Sequence, residues 1–379
     1  MAYTKEKIED ILSDFAESIN ISDELFDAAE AAYQSLGTWI DNESNDYDVL
    51  IYSQGSFALG TVVKPVSNKD DYDLDLVCCV NNGNGISAED LKTKIVKQWL
   101  EDYKSHTTEL EEKSRCWHVE YDSIPNFHMD VIPAIPRTIS GESILITDKK
   151  TEQCYDYIGS NPKGYANWFF DCCGRKKQAI GTIMNHDMAT QEKIRPHRRK
   201  SKLQKAIQIM KRHRDAMFEK NPDNKPASII ITTLVGQLYD GERTISETIE
   251  NFANNVEAYL EKTKKPDGSY YIPNPKQADE DFADKWRKHP ERQEHFFSWI
   301  QQLKSDFQIE NLQKLDAVSM GRKMTTIFGE ASGKSVFRKR GLEEASAVAA
   351  GVLKVQSTTG SISKQGTVTV PPNHHYGEE

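Results

Sequence analysis

The sequence contains no long apolar run. None of its 379 residues belongs to an uninterrupted hydrophobic stretch of about 18 residues, the length that a transmembrane helix needs. The N-terminal segment MAYTKEKIEDILSDF is charged and lacks the apolar region of a signal peptide. We therefore expect a cytoplasmic protein that has no membrane partner.

Cysteine is scarce, and its spacing does not suit a structural role. Of the six cysteines, Cys78 and Cys79 are adjacent, as are Cys172 and Cys173, and the sequence has no C-x-x-C. Adjacent cysteines do not form an ordinary zinc knuckle, and a disulfide framework is unusual in a long cytoplasmic chain. The simplest interpretation is that every cysteine is a reduced thiol. The alternative is a metal site of Cys154, Cys172, Cys173 and His186, which their spacing does not support.

Positive charge is also in the minority. The chain has 48 Lys and Arg against 58 Asp and Glu, a net charge of −10. This balance argues against a protein that coats DNA, because phosphate contacts require a positive surface. Hydrophobic residues reach 37% and aromatic residues 9%, which is enough for a sizeable core and excludes a wholly disordered chain.

The hydrophobic pattern changes along the chain, and this change predicts its organisation. Helical spacing over 5–19 and 22–40 is followed by short apolar runs that are typical of strands. From about residue 199 the period is helical again, with a long helix to about Met217 and a second from Ile229 to about Tyr239. Further helices are expected over 245–263 and 278–308. The predicted strands include 49–52, 74–80, 115–121, 127–132 and 144–146.

We therefore expect three regions. Residues 1–160 would hold the N-terminal helices and a region of mixed helices and strands, and residues 161–330 a mainly helical region. Residues 331–379 would be an extension, with a flexible tail from about residue 356. The tail is rich in Ser, Thr, Gly and Lys, a composition that cannot bury a core.

The stretch QGSFALGTVVKPVSNKDDYDLDLVCCV, residues 54–80, carries the clearest chemical signal. Asp73 and Asp75 are two residues apart on an apolar strand, so both side chains point to the same face. Asp70 and Asp71 lie in the polar approach to this strand and are weaker candidates. Asp130 is again a single carboxylate on an apolar strand.

Three carboxylates on neighbouring strands predict a site for divalent cations. Carboxylates that share one face repel each other and are costly to desolvate, and a bound cation removes that cost. Oxygen ligands favour Mg²⁺, which retains waters and binds substrate phosphates. We expect Asp73, Asp75 and Asp130 to be both metal ligands and catalytic residues, holding two Mg²⁺ ions, with Mn²⁺ as a possible substitute.

An isolated Asp-x-Asp is common, but the combination with Gly55 and Ser56 upstream is specific. It resembles the motif of the polymerase-β-like nucleotidyltransferases, and within them the cGAS/DncV-like family that bacteria use in anti-phage (CBASS) signalling. The 16 residues between Ser56 and Asp73 are more than many members have. The resemblance covers roughly residues 5–330, including the helix LQKAIQIMKRHRD from Leu203.

The resemblance implies an α+β fold with a catalytic lobe and a helical C-terminal lobe. It implies an enzyme that makes a cyclic di- or trinucleotide from NTPs such as ATP or GTP and releases pyrophosphate, without a DNA template. It also implies substrate contacts, which fall on Gln54, Gly55, Ser56, Lys211 and Ser228. Ser228 follows a proline and precedes an apolar helix, so it is also predicted to be an N-cap at a phosphate-binding helix end.

Two other functions remain open at this stage. One is a relative in the same superfamily, either a linear oligoadenylate synthetase or an enzyme that nucleotidylates RNA or protein. The other is a nucleotide-binding protein whose catalytic site has decayed. A regulatory partner or conjugation machinery acting on the C-terminal tail is a further expectation from the resemblance.

Several other features have more than one interpretation. The basic run from Arg195 to Arg214 would line a triphosphate pocket, bind nucleic acid, or form a solvated helix face. The segment from Gly329 to Ser335 has one residue too few between its glycines for a P-loop. His118 and His128 lie on predicted strands without a nucleophile to pair with, and they are assigned to the surface or the core.

Overall fold

The structure is a computed structural model. It describes residues 3–66, 72–103, 109–121, 124, 126–138, 142–174, 182–185, 189–194, 199–350, 352–355, 362–363 and 367–369. The sequence features at Asp70, Asp71, His186, 195–198 and 370–379 lie outside the described residues.

Helices and strands alternate in the first half of the chain. The first two helices begin at side-chain caps, since Thr4 and Ser22 each accept a backbone N–H of the first turn. The elements are α1 (Lys5–Ser18), α2 (Asp23–Glu43), β1 (Val49–Ser53), α3 (Gly55–Leu59), β2 (Tyr72–Val80), α4 (Ala88–Asp90), a π-helical turn (Leu91–Val96), α5 (Lys97–Asp102), β3 (Leu110–Glu112), β4 (Trp117–Glu120), β5 (Phe127–Pro136), β6 (Ile144–Thr151), β7 (Cys154–Ser160), α6 (Pro162–Cys172), β8 (Thr182–Asn185) and β9 (Ala189–Glu192).

Within the described residues, these strands form one mixed sheet. Its order is β3-β4-β5-β2-β1-β9-β8, and β6 and β7 continue from β5. β2 runs parallel to β5, and β1 runs parallel to β9, whereas β1 and β2 are antiparallel. Because β2 and β5 are parallel neighbours in the centre of the sheet, polar residues on them can meet on one face.

Alternate residues of β2 separate the two faces of the sheet. Leu74 and Leu76 point into a core that α2 and α5 cover. Val77 and Cys79 point to the other face, into a smaller cluster with Ile132 of β5. Asp73 and Asp75 share the parity of Val77, so they lie on the second face. The first face is therefore the hydrophobic anchor of the strand that carries the carboxylates.

The second half of the chain is mainly helical. Ser201 and Gln204 form a capping box at the start of its longest early helix. The elements are α7 (Lys202–Met217), a 3-10 turn (Pro222–Asn224), α8 (Ser228–Leu238), α9 (Ile245–Lys262), β10 (Pro273–Asn274), β11 (Gln277–Asp281), a 3-10 turn (Asp284–Arg287), α10 (Pro290–Asp306), α11 (Ile309–Gln313), α12 (Ala317–Phe328), α13 (Glu330–Ala349), β12 (Lys354–Val355), β13 (Ile362–Ser363) and β14 (Val368–Thr369).

The helical half has its own hydrophobic core, and α1 belongs to it. Ile8, Leu12 and Phe15 of α1 are fully buried in one cluster with α7, α9 and α10. The start of the chain thus packs against its later half. The domain boundary at residue 160 stays a prediction. Helix α1 precedes this boundary in the sequence but packs against helices that follow it.

Most of the predicted elements are present, and one helix assignment was wrong. The region 278–308 is not one helix, because β11 and a 3-10 turn precede α10. Acidic residues of β11 pair with the rest of the molecule instead: Glu280 accepts hydrogen bonds from Ser160 and Asn274. The sequence analysis also did not predict β3, β7, β8, β9 or α6.

Among the described residues, no helix combines the length and apolar character that crossing a membrane requires.

Replacing Phe15 should show that α1 is structural. Its ring stacks on Phe328 with centroids 4.1 Å apart and meets the edge of Phe337 at 6.0 Å. Phe15→Ala should lower the free energy of unfolding by about 3–5 kcal/mol, because it leaves a cavity in this core. Val318→Ala, at a side chain that is 64% exposed, is the control and should change it by less than about 0.5 kcal/mol. Urea denaturation measures both, and a loss below about 1 kcal/mol for Phe15→Ala contradicts this packing account.

Candidate active site

The register of the central strands brings the three predicted carboxylates together. Asp75 of β2 lies directly opposite Asp130 of β5, and Asp73 lies opposite His128. On the other side of β5, His118 of β4 is opposite Asp130. One row of the sheet therefore reads His118, Asp130, Asp75 across three strands, and the next row contains His128 and Asp73.

The carboxylates of this row experience different environments. Burial, together with the neighbouring charges of Asp130 and Asp73, raises the pKa of Asp75 to about 8. Burial also acts to raise the pKa of Asp130, but a hydrogen bond with His118 and the charges of His128 and His118 outweigh it and lower that pKa. Ionising all three carboxylates together is unfavourable without an added positive charge. Their oxygen donors and their electrostatics both fit a divalent cation.

Gly55 allows the chain to pass close to Asp75. It is the first residue of α3 and has a φ of +63°. A Cβ atom at this position would lie 2.0 Å from Asp75 Oδ2, so a side chain does not fit. The preceding Gln54 donates its backbone N–H to the carbonyl oxygen of Asp75 at 2.8 Å. The predicted Gly-Ser turn is therefore the start of a short helix held against β2.

A cavity of about 260 Å³ lies between this helix and the helical half of the molecule. Its lining combines acidic residues of β2 with basic residues of α7, and it also includes Asp215. Its polar lining includes Ser56, Asp73, Asp75, Lys211, Arg214 and Ser228. The structure thus brings together the predicted substrate contacts Gly55, Ser56, Lys211 and Ser228 with two of the predicted carboxylates.

Lys211 is a buried residue of the cavity lining. Its Nζ donates to the carbonyl oxygen of Thr61 at 3.0 Å. Burial lowers its pKa to about 8, and the charge of Arg214 adds to this effect, while Asp215, Asp73 and Asp75 oppose it. A phosphate group in the cavity would favour the charged ammonium, since an opposite charge stabilises it.

Ser228 is not the N-cap that the sequence predicted. The cap position of α8 is Ala227, and Ser228 is the first helical residue. Its Oγ accepts a hydrogen bond from Arg214 at 2.9 Å, and the same guanidinium donates to the carbonyl oxygen of Pro226 at 2.8 Å. Ser228 therefore still faces the cavity, but Arg214 rather than the backbone of α8 holds its side chain.

Sequence reasoning missed the role of Arg214. This buried side chain links α7 to the start of α8, and it pairs with Asp215 at 2.7 Å. Lys225 approaches Asp215 at 3.6 Å and also lines the cavity. The signal in the sequence was the position of Arg214, three residues after Lys211 and thus on the same helix face.

The described part of the basic run has divided roles. Lys202 pairs with Glu9 and Lys205 with Glu17 of α1, so these two lysines join the helices. Lys200 is mostly buried, and burial lowers its pKa to about 7, followed by the charges of Lys211 and Lys205. Only Lys211 and Arg214 of this part line the 260 Å³ cavity.

A larger cavity of about 800 Å³ lies on the other side of Gly55. Gly55 and Asp75 line both cavities, and Gln54 lines the larger one. Its remaining walls combine apolar side chains with polar ones from several elements, including Tyr52 of β1, Lys163 of α6, Asn274 of β10 and Glu280 of β11. Two cavities that meet at a shared carboxylate can hold two reacting molecules side by side.

His118 and His128, which the sequence analysis assigned to the surface or the core, lie beside the predicted carboxylates. His118 Nδ1 lies 3.0 Å from Asp130 Oδ1, and His128 Nε2 lies 3.1 Å from Asp73 Oδ1. The available signal was strand parity, because His128 is two residues before Asp130 and must share its face. The alternative cysteine site has no such support: Cys154, Cys172 and Cys173 form no disulfide, and among the described residues they belong to no cluster of three candidate metal ligands.

The comparisons with known proteins agree with this architecture. The Second Messenger Oligonucleotide or Dinucleotide Synthetase domain matches residues 7–172. A c-di-GMP synthase from Roseivirga ehrenbergii is 30% identical over 390 residues, covering 99% of this chain and 98% of the relative. The cyclic dinucleotide synthase CdnG of Bradyrhizobium diazoefficiens is 21% identical over 359 residues, covering 86% of this chain and 84% of the relative.

Solved structures show the same fold. The structure of Bradyrhizobium diazoefficiens CdnG in complex with GTP matches with a TM-score of 0.69 at 18% identity, over 88% of this chain and 99% of that one. The GTP-bound form of Vibrio cholerae DncV matches with a TM-score of 0.54 at 19% identity, over 86% of this chain and 80% of that one.

The fold therefore defines a polymerase-β-like nucleotidyltransferase, with a mixed sheet followed by a helical C-terminal part. The 30% identity over nearly the whole chain goes further than the fold. The chain belongs to the cGAS/DncV-like nucleotidyltransferase family, and it is an enzyme that makes cyclic oligonucleotides in CBASS-like signalling.

Gly55→Ala tests whether the close approach of α3 to Asp75 matters for activity. Gly85→Ala is the matched control, because Gly85 also has a positive φ, +93°, but a Cβ there meets nothing within 4 Å. Both variants carry a similar backbone strain of about 1–2 kcal/mol. Only Gly55→Ala displaces a carboxylate, and a misplacement of about 1 Å costs about 100-fold in rate.

The measurement is Mg²⁺-dependent release of pyrophosphate from NTPs, together with the thermal midpoint of each variant. We expect similar midpoints and a loss of activity in Gly55→Ala alone. Equal activity in the two variants would contradict the proposed placement of Asp75.

Proposed function

We propose that this enzyme joins two GTP molecules into a cyclic dinucleotide at the site where the two cavities meet. The observation that carries the proposal is the register of β2 and β5, which sets Asp130 beside Asp75, the carboxylate that lines both cavities. The choice of GTP is supported by the relative named as a c-di-GMP synthase, which aligns with 99% of this chain.

The donor nucleotide would place its triphosphate in the 260 Å³ cavity. Lys211 and Arg214 supply positive charge there, while Ser56 and Ser228 supply hydroxyl groups that hydrogen-bond phosphate oxygens. The approach of Gly55 keeps the backbone close to the α-phosphate side of the cavity. These residues orient the donor and neutralise part of its charge, which is the main work in phosphoryl-type transfer.

We further propose that Asp73, Asp75 and Asp130 hold two Mg²⁺ ions, for which Mn²⁺ can substitute. When bound, such ions neutralise the triphosphate and acidify the acceptor hydroxyl. The fit rests on the donor set, since the strand register brings three carboxylates together, and burial with the charges of Asp130 and Asp73 raises the pKa of Asp75. A cation at this point restores the ionised state of Asp75.

The acceptor nucleotide would occupy the 800 Å³ cavity, with a ribose hydroxyl near Asp130. Asp130 would accept the proton of that hydroxyl while the hydroxyl oxygen forms a bond to the α-phosphorus of the donor. The bond between the α-phosphorus and the bridging oxygen breaks, and pyrophosphate leaves. The linear product then reverses its orientation, and the same residues repeat the transfer to close the ring.

A regulatory role of the C-terminal tail also stays a prediction. A partner or conjugation machinery acting on residues from about 356 was expected from the family resemblance. Only short parts of that segment, 362–363 and 367–369, fall among the described residues. We retain this regulatory role as a proposal separate from catalysis.

Incubation with labelled nucleotides tests the product. With Mg²⁺ and GTP alone, we expect pyrophosphate release and a single phosphatase-resistant product, because a ring has no terminal phosphate. Asp73→Asn should reduce the rate by at least about 100-fold, since it removes a charge of the metal site worth several kcal/mol. Asp102→Asn, at an exposed position of α5, is the matched control and should keep the wild-type rate.

Other outcomes would point elsewhere. A phosphatase-sensitive product would indicate a linear oligonucleotide synthetase. A product formed only from mixtures of NTPs would contradict the use of GTP alone. Full activity of Asp73→Asn would contradict the assigned role of the carboxylates.

A further inference from the structure

Two imidazoles lie directly beside the catalytic carboxylates. The rings of His118 and His128 are 4.0 Å apart between centroids, at an angle of 44°. Their side chains are only 15% and 11% exposed. One ligand atom each of His118, His128 and Asp130 lies within 4.8 Å of the other two. This spacing is compact enough for all three groups to reach one metal ion.

The sheet fixes this group before any ligand arrives. His128 and Asp130 are two residues apart on β5, and His118 is the direct partner of Asp130 on β4. Ligands on neighbouring strands are held more rigidly than ligands on loops. Adjacent groups complete the arrangement: Asp73 Oδ1 lies 3.1 Å from His128 Nε2, and Glu120 Oε1 lies 3.7 Å from His118 Nε2. Carboxylates of this kind orient the imidazoles of metal sites.

The chemistry of this group differs from that of the three aspartates. Asp73, Asp75 and Asp130 offer only oxygen, which suits Mg²⁺. Two imidazole nitrogens and one carboxylate form instead a set that favours divalent transition metals. Three protein ligands with an open position are typical of a site that also binds water or substrate.

We infer that His118, His128 and Asp130 form a second, nitrogen-containing metal site that binds a divalent transition metal such as Zn²⁺ in preference to Mg²⁺. Asp130 would be common to this site and to the carboxylate site. The inference uses the role that the proposed function gives to Asp130, but its binding step requires no nucleotide. Occupancy of this site would therefore act directly on the carboxylate that receives the proton of the acceptor.

The test compares imidazoles with amides that preserve their hydrogen bonds. His118→Asn replaces a contact made by Nδ1, and His128→Gln replaces one made by Nε2, so both bonds to the carboxylates can persist. All proteins carry His374→Ala and His375→Ala, because this adjacent pair in the tail sequence could itself bind Zn²⁺. His289→Ala is the control, since His289 is exposed and pairs with Glu291.

Zn²⁺ affinity is measured by calorimetry without nucleotide, and Co²⁺ binding by its visible absorption. We expect His118→Asn with His128→Gln to lose more than about tenfold in Zn²⁺ affinity, since even the outer partners of metal ligands contribute about 10- to 100-fold. The imidazole-dependent Co²⁺ bands should disappear. The Mg²⁺ concentration that half-activates pyrophosphate release from GTP should stay within about twofold, and His289→Ala should match the parent protein.

Unchanged Zn²⁺ affinity in the double variant overturns the inference, as does a loss of Zn²⁺ affinity in His289→Ala. Parallel losses of Zn²⁺ and Mg²⁺ dependence also overturn it, because the imidazoles would then only position the carboxylates. Failure of the proposed function is distinguishable, since it would appear as absent turnover of GTP by the parent protein while Zn²⁺ binding persists.

Discussion

The parallel pairing of β2 with β5 is the constraint on which the site depends. It sets Asp75 opposite Asp130 and Asp73 opposite His128, where like charges oppose each other in a partly buried setting. The folded chain tolerates this because the opposite face of β2 is anchored by Leu74 and Leu76 in a core beneath α2. Hydrophobic burial on one face thus stabilises an electrostatically unfavourable arrangement on the other.

The helical half of the molecule supplies the complementary charge. Lys211 and Arg214 of α7 face the carboxylates across a narrow cavity. Contacts from α7 to earlier parts of the chain fix its position, because Gln204 and Gln208 donate to the carbonyl oxygens of Leu59 and Val62. Charges of both signs therefore line one cavity. The overall charge of −10 therefore says little about the local potential.

Periodicity and strand parity predicted the parts of this account that depend on the local sequence. Asp73, Asp75 and Asp130 were identifiable because each interrupts an apolar strand. Ser228 lines the cavity with the other predicted substrate contacts, but its capping role was wrong, since the hydrogen bond from Arg214 depends on how α7 and α8 pack. His118 and His128 were missed for a similar reason. A pair of rings formed by β4 and β5 depends on strand register, which a single sequence does not fix.

The acidic strand β11 illustrates the same limit. Its run of carboxylates was read as part of a helix, yet two of the partners that hold it, Ser160 for Glu280 and Arg137 for Asp279, lie more than a hundred positions earlier in the chain. Tertiary contacts outweighed local propensity here. The general fold could be predicted from the sequence, whereas the residues that form the walls of the larger cavity could not.

The central claim is that the position of Asp75 in the sheet raises its pKa and that a bound cation lowers this pKa again. The direct measurement is the pKa of Asp75 by carboxyl ¹³C NMR, with the signal assigned through Asp75→Asn. Without metal, the pKa should be raised to about 8, so the group is largely protonated at neutral pH. With Mg²⁺ and a non-hydrolysable GTP analogue, it should fall to the ordinary value of about 4 or below, because the cation favours the ionised form. A metal-free pKa near about 4, or one that Mg²⁺ does not change, would contradict the account.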